Sequence, residues 1–204
     1  MTPCDCRGTH APRRVVLTGG PGAGKTAALE LVRWSFCAHV RILPEAASLV
    51  FSGGFPRDET HAGRRAAQQA IFHVQRALEE GVAEGNHALV LCDRGTIDGT
   101  AYWPGPDDLF TAVGTTFAGE LARYEAVVHM RTPGADKGYD QSNPLRVESA
   151  TEAARIDEAI ARAWGAHPRR AVVPASSNFM AKLAAAAELI RRELPACCGG
   201  TGTL

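Results

Sequence analysis

The chain has 204 residues, 45% of them hydrophobic, and its 22 Lys plus Arg balance 22 Asp plus Glu. That length suits one domain with a small inserted lid, and the neutral balance carries no electrostatic footprint for nucleic acid or an anionic membrane. No apolar run approaches the ~20 residues that a membrane-spanning helix needs. The N-terminal MTPCDCRGTHAPRR has no apolar segment, so a cytoplasmic location is expected.

Residues 1–12 read as a disordered tail. RRVVLTGGPGAGKT (13–26) then satisfies G-x-x-x-x-G-K-[ST] at Gly19, Gly24, Lys25 and Thr26. The apolar run Val15–Thr18 reads as a buried strand, and KTAALELVRWSF as a helix with Ala28, Leu31, Val32 and Ser35 at helical spacing. Strand, glycine turn and helix is the context in which this motif cradles a polyphosphate. Glycines at 19, 20, 22 and 24 let the backbone take positive φ and bring its N–H groups close to phosphate oxygens. The helix N-terminus adds positive potential. Lys25 would reach the β- and γ-phosphates and Thr26 would ligate Mg²⁺. The expected nucleotide-binding set of the loop is Gly20, Gly22, Ala23, Gly24, Lys25, Thr26 and Ala27.

VRILPE (40–45) reads as a second strand ending on Glu45, followed by a short helix EAASLVF and a turn-rich loop, SGGFPRDET. Residues 61–84 read as an amphipathic helix with Ala67, Ala70, Ile71, Val74 and Leu78 on one face. HALVLCD (87–93) is a buried strand closing on Asp93. TIDGTAYWPGPDD is read as a loop, and Asp107 or Asp108 as the cap of a helix running to about Tyr124. AVVHM (126–130) is a fourth strand. Residues 131–150 show no period and are read as a functional lid. A helix from about Ser149 to Gly165, a fifth strand AVVP (171–174) and a last helix follow. That helix is capped by Ser176 or Ser177, with Met180, Leu183, Ala187 and Ile190 in one stripe. Residues 195–204 read as a second disordered tail. Five strand–helix alternations predict a parallel sheet with helices on both faces, and such sheets bind ligands at the carboxyl ends of their strands.

At those ends the sequence places the phosphate loop, Glu45, Asp93 and Arg131. Asp93 fits the apolar-run-then-Asp pattern that holds Mg²⁺, or it caps the next turn. Arg94 offers a bidentate guanidinium, or a solvated one. Glu45 could accept the proton of an attacking hydroxyl, or could simply favour the N-terminus of the next helix. Among Arg131, Arg146 and Arg155, in or beside the lid, at least one is expected to meet phosphate, with Arg146 the first choice. Of the six cysteines, Cys4, Cys6, Cys197 and Cys198 fall in the tails. Their C-x-C and C-C spacings do not match zinc fingers. Cys37 and Cys92 are read as small apolar residues inside a helix and a strand.

GGPGAGKT, LPEAA, IFHVQ, LCDRGTIDGTAYW, NPLRVE and WGAHP together resemble the AAA_28-type P-loop ATP-binding domains, over about residues 13–194. That group includes the ribosylnicotinamide kinase domain of the bacterial NAD regulator, and the chain is more distantly similar to deoxynucleoside kinases. The resemblance implies a P-loop NTPase fold, with a five-stranded parallel sheet in 2-3-1-4-5 order and a lid before the last strand. It matches Glu45 to a general base and Gln75 to a base-reading glutamine. Asp93 and Arg94 match the strand-end pair near magnesium and acceptor, Arg146 a lid arginine, and the stretch Ala175 to Phe179 the border of the adenine. Gly95 departs from the serine of deoxynucleoside kinases.

The leading expectation is therefore a small-molecule kinase. It would use ATP and Mg²⁺, with Lys25, Glu45, Asp93 and Arg146 catalytic, Arg131 and Phe179 beside the nucleotide, and Thr26 and Asp93 on the metal. The pocket for a nucleoside-like or other small polar acceptor would be walled by Glu45, Phe55, Gln75, Arg94, Asp98 and Tyr102. A nucleotide-gated regulatory module stays open. A guanine switch is disfavoured because N-K-x-D is absent, and 204 residues leave no room for the second helical domain of an AAA+ machine. The oligomeric state is not readable.

Overall fold

The computed structural model describes residues 4–133 and 149–199. Strands β1 (Arg13–Thr18), β2 (Val40–Leu43), β3 (Leu89–Asp93), β4 (Ala126–Met130) and β5 (Arg170–Val173) form one sheet in the order β2-β3-β1-β4-β5. Every pairing is parallel. Between them run α1 (Lys25–Ser35), α2 (Ala46–Ser52), α3 (His61–Glu80), α4 (Leu109–Ala112), α5 (Phe117–Leu121) and α6 (Ala150–Ala163). A 3₁₀ turn (Thr96–Ala101) follows β3, and α7 (Phe179–Arg191) and α8 (Ala196–Gly199) close the chain. The expected α/β class, strand count and order are those observed.

The central strands are apolar at consecutive positions because successive side chains enter opposite faces, and both faces are covered. Val15, Leu17, Leu89 and Leu91 pack with Val32 of α1 and Leu183 and Ile190 of α7. Val16, Val90, Cys92 and Val127 pack with Phe72 of α3 and with Ile156 and Ile160 of α6 and Trp164 just beyond it.

Several local expectations are corrected. The helix expected to run to Tyr124 is two short ones. Gly114 adopts φ 75, and the Thr116 hydroxyl caps a fresh start by accepting from the Gly119 N–H. TIDGTA, read as loop, is the 3₁₀ turn. On α3 the deeply buried line is Ala67, Phe72, Gln75 and Glu79, because two polar residues are spent on an internal network that hides the stripe. α7 is capped by Asn178, whose Oδ1 accepts from the Ala181 N–H, rather than by Ser176 or Ser177. Met180 lies 67% exposed, in a first turn that projects beyond the core. Residues 4–12 and α8, both read as disordered, pack together, with Cys4, Cys6 and Cys198 against the core.

Candidate functional site

The loop between β1 and α1 takes its shape from glycine. Gly19, Gly22 and Gly24 sit at φ 142, 75 and 92, where side chains are strained. A Cβ on Gly19 would also meet the Met130 carbonyl oxygen at 2.1 Å. Lys25 Nζ donates to the carbonyl oxygens of Gly19 (3.0 Å) and Gly20 (3.2 Å). Burial lowers its pKa to about 8, with Arg94 adding to the effect and Asp93 and Glu45 opposing it. Thr26 is exposed on the first turn of α1.

Across the carboxyl edge, Arg94 organises the acids. It has the positive φ (70) that non-glycine residues rarely adopt. Its Nε donates to Glu45 Oε1 at 2.7 Å and its Nη1 to Asp98 Oδ1 at 3.2 Å. Burial alone would raise the Glu45 pKa. The Arg94 charge, a hydrogen bond from Ser48 and the nearby Lys25 outweigh it and hold Glu45 at about 2. Asp93 goes the other way, raised to about 6 by burial, with Lys25 opposing and Glu45 reinforcing the rise. Its Oδ1 is buried without a hydrogen-bond partner.

The other flank of the loop is strapped from behind, through residues that the sequence did not single out. Asp157 of α6 accepts from the Gly20 N–H (2.9 Å), pairs with His129 Nε2 (2.9 Å) and with Arg131 Nε (2.8 Å). The buried Lys182 of α7 donates to the carbonyl oxygens of Ala23 (2.8 Å) and Arg131 (2.6 Å), and Thr132 donates to that of Pro21 (3.1 Å). The one available signal was charge within apolar helix faces, Asp157 beside Ile156 and Lys182 beside Leu183. Such residues are rarely buried unless paired.

The expected site residues thus divide. Lys25, Glu45, Asp93 and Arg94 share one cluster. Phe179 touches the loop, since a Cβ on Gly24 would lie 2.9 Å from its ring. The Tyr102 ring lies 5.8 Å from the Arg94 guanidinium carbon. Arg131 is engaged by Asp157 and Glu158, and Phe55 follows α2 with its N–H on the Val50 carbonyl. Asp98 turns inward. It accepts from Thr18, Arg94, the Gly95 N–H (3.0 Å) and Trp164 Nε1 (3.0 Å), which leaves its oxygens no capacity for a ligand. Gln75 also turns away. Its Nε2 donates to Glu79, which accepts as well from Tyr124 and Arg123. Both placements share a cause: a buried polar group must be satisfied, and neighbours inside the core do so here. Gly95 is explained by space, because a Cβ would meet Trp164 at 2.9 Å and Val16 at 3.0 Å. Arg146, the NPLRVE segment and most of the expected lid lie outside the described residues.

The AAA_28 family (AAA domain) matches residues 14–181, and the chain belongs to it. Among solved structures, thymidylate kinase from Candida albicans superposes with a TM-score of 0.60 at 10% identity, covering 89% of this chain and 91% of that one. That likeness is one of fold alone, a P-loop-bearing parallel α/β sheet. No curated protein matches the chain in sequence.

Proposed function

We propose that the protein is an ATP- and Mg²⁺-dependent kinase that phosphorylates a hydroxyl of a nucleoside-like or other small polar acceptor. The observation that carries this reading is the meeting, at one sheet edge, of a glycine-built loop with its Lys25 and a strand-end Asp93–Arg94–Glu45 cluster. A phosphate-binding switch alone would not need the second part.

Lys25 now rests on loop carbonyls, and a polyphosphate in the loop offers its ammonium a charged partner instead. The residues present fit a magnesium ion. Asp93 Oδ1 lacks a partner and Thr26, in the first turn of α1, is exposed; both offer oxygen donors of the kind Mg²⁺ takes. When bound, the ion neutralises charge on the phosphate oxygens. Glu45, fully ionised near pH 7, accepts a hydrogen bond from the acceptor hydroxyl and orients it. In a loose transition state the hydroxyl proton leaves late, so orientation matters more than ground-state basicity. Arg94 fixes the Glu45 carboxylate in that position, and Phe179 borders the base of the nucleotide.

A second reading, an ATP-gated regulatory module, draws on the same pair. A carboxylate held at about 2 by Arg94 accepts protons poorly, as suits a site that binds without transferring. ATP consumption against a panel of nucleosides, vitamins and sugars separates the two. The kinase reading expects one class of acceptor to raise turnover at least tenfold, and Glu45→Gln to remove that rise while Mg-ATP still binds. A flat panel, or full turnover by Glu45→Gln, overturns it.

A further inference from the structure

At the far end of α1 from the phosphate loop, three separate parts of the chain bring cysteine and histidine together. The N-terminal stretch supplies Cys4, Cys6 and His10, the α1–β2 connection Cys37 and His39, and α8 Cys197 and Cys198. All of the cysteines are unpaired thiols. Their donor atoms fall into two sets of four, Cys4/Cys37/His39/Cys198 and Cys6/His10/Cys197/Cys198, and within each set all four lie within 4.8 Å of one another. Cys198 belongs to both.

The short separations among these donors match the edges of a tetrahedral centre. Zinc–sulfur bonds of about 2.3 Å and zinc–nitrogen bonds of about 2.0–2.1 Å give tetrahedral edges of about 3.8 Å between sulfurs and about 3.5 Å between sulfur and nitrogen. Here Cys4 Sγ lies 3.9 Å from Cys198 Sγ. Cys198 Sγ lies 3.4 Å from His39 Nδ1 and 3.4 Å from His10 Nε2, and Cys6 Sγ lies 3.3 Å from His10 Nε2. A disulfide between Cys4 and Cys198 would use two sulfurs and leave two imidazoles converging on Cys198 without purpose. Thiolate and imidazole donors in tetrahedral arrangement select zinc among the common divalent ions.

We propose that these residues bind two zinc ions, each held by three cysteines and one histidine, with the Cys198 thiolate as the shared corner. On binding, each thiol passes its proton to solvent, so no oxidant or reductant is required. The centre pins both ends of the described chain to the amino-terminal edge of the sheet. It lies about 16 Å, the length of α1, from the phosphate loop, so it acts on the fold and not on the transfer reaction. The zinc-finger spacing argument fails here because the ligands come from three segments, and no local spacing records their meeting.

Zinc content, measured on full-length protein expressed in zinc-supplemented medium and dialysed without chelator, is the test. Two ions per chain are expected in the wild type, about one in Cys4→Ser and in Cys6→Ser, and none in Cys198→Ser. Cobalt(II) in place of zinc is expected to give the intense visible bands of a tetrahedral thiolate site, halved in either single-set variant. Mg-ATP binding, which reports on the opposite sheet edge, verifies that each variant has folded. A metal-free wild type, a zinc content unchanged by Cys198→Ser, or a Cys4–Cys198 disulfide in the non-reduced mass overturns the proposal. A single ion that is lost with only one set overturns the shared corner.

Discussion

The two flanks of the phosphate loop hold similar charges and use them differently. On the β4 side, Asp157 and Lys182 direct their bonds at the loop backbone itself, and Asp157 is further engaged by His129 and Arg131. On the β3 side, Asp93 keeps an oxygen without a partner and a raised pKa, and Arg94 sits in a strained backbone conformation. The first arrangement is a scaffold that over-determines the loop. The second stores cost at a place where a ligand can relieve it, as functional sites do. Position at the strand ends does not separate scaffold from machinery; the state of hydrogen-bond satisfaction does.

The sharpest way to break this contrast is Lys25→Ala. At a hundred times its Kd, a ligand stabilises by about 2.7 kcal/mol, or roughly 5–10 °C of melting temperature for a chain of this size. That shift with Mg-ATP is expected in the wild type and absent in the variant. A shift that survives removes Lys25 from the site. Next is Asp157→Ala, which leaves His129 and Arg131 facing a lost carboxylate and should cost about 3–5 kcal/mol in urea unfolding. A loss under 1 kcal/mol would show that the strap is not structural.

The pH dependence tests Asp93. Its folded pKa, about 6, lies above its unfolded value, so between about pH 4 and 6 the folded state holds more protons. Stability should therefore fall as pH rises through that window, by about 2–3 kcal/mol from this group. Asp93→Asn should lack the slope, while Mg²⁺-dependent nucleotide affinity in the wild type should rise through pH 6. Identical profiles for the two proteins would remove the perturbation. Gly20→Ala probes the scaffold more gently. Its Cβ would meet Thr132 Oγ1 at 2.5 Å and Asp157 Cβ at 2.8 Å, an overpacking cost of about 1–3 kcal/mol. The smallest effect is expected from Phe179→Ala, a fewfold loss of ATP affinity, because the ring is half exposed and in the proposed site it would border the base while resting against the loop at Gly24.

Local chemistry determined what could be read along the chain. The glycine loop, the continuously apolar strands and the acids that close them each occupy a few consecutive residues, so sheet type and the phosphate loop were legible. Sheet order and the base-reading residue came from family resemblance; the order stands, whereas Gln75 is spent on Glu79. Tertiary structure alone decided the rest. Asp98 looks like a pocket acid until Trp164, 66 residues on, claims it, and Asp157 looks like a surface acid until it reaches the Gly20 amide. The tails read as disordered until α8 brings Cys197 and Cys198 to Cys4 and Cys6. In each case the deciding contact joins residues far apart in sequence, and a buried polar or thiol group takes its role from the partner that satisfies it.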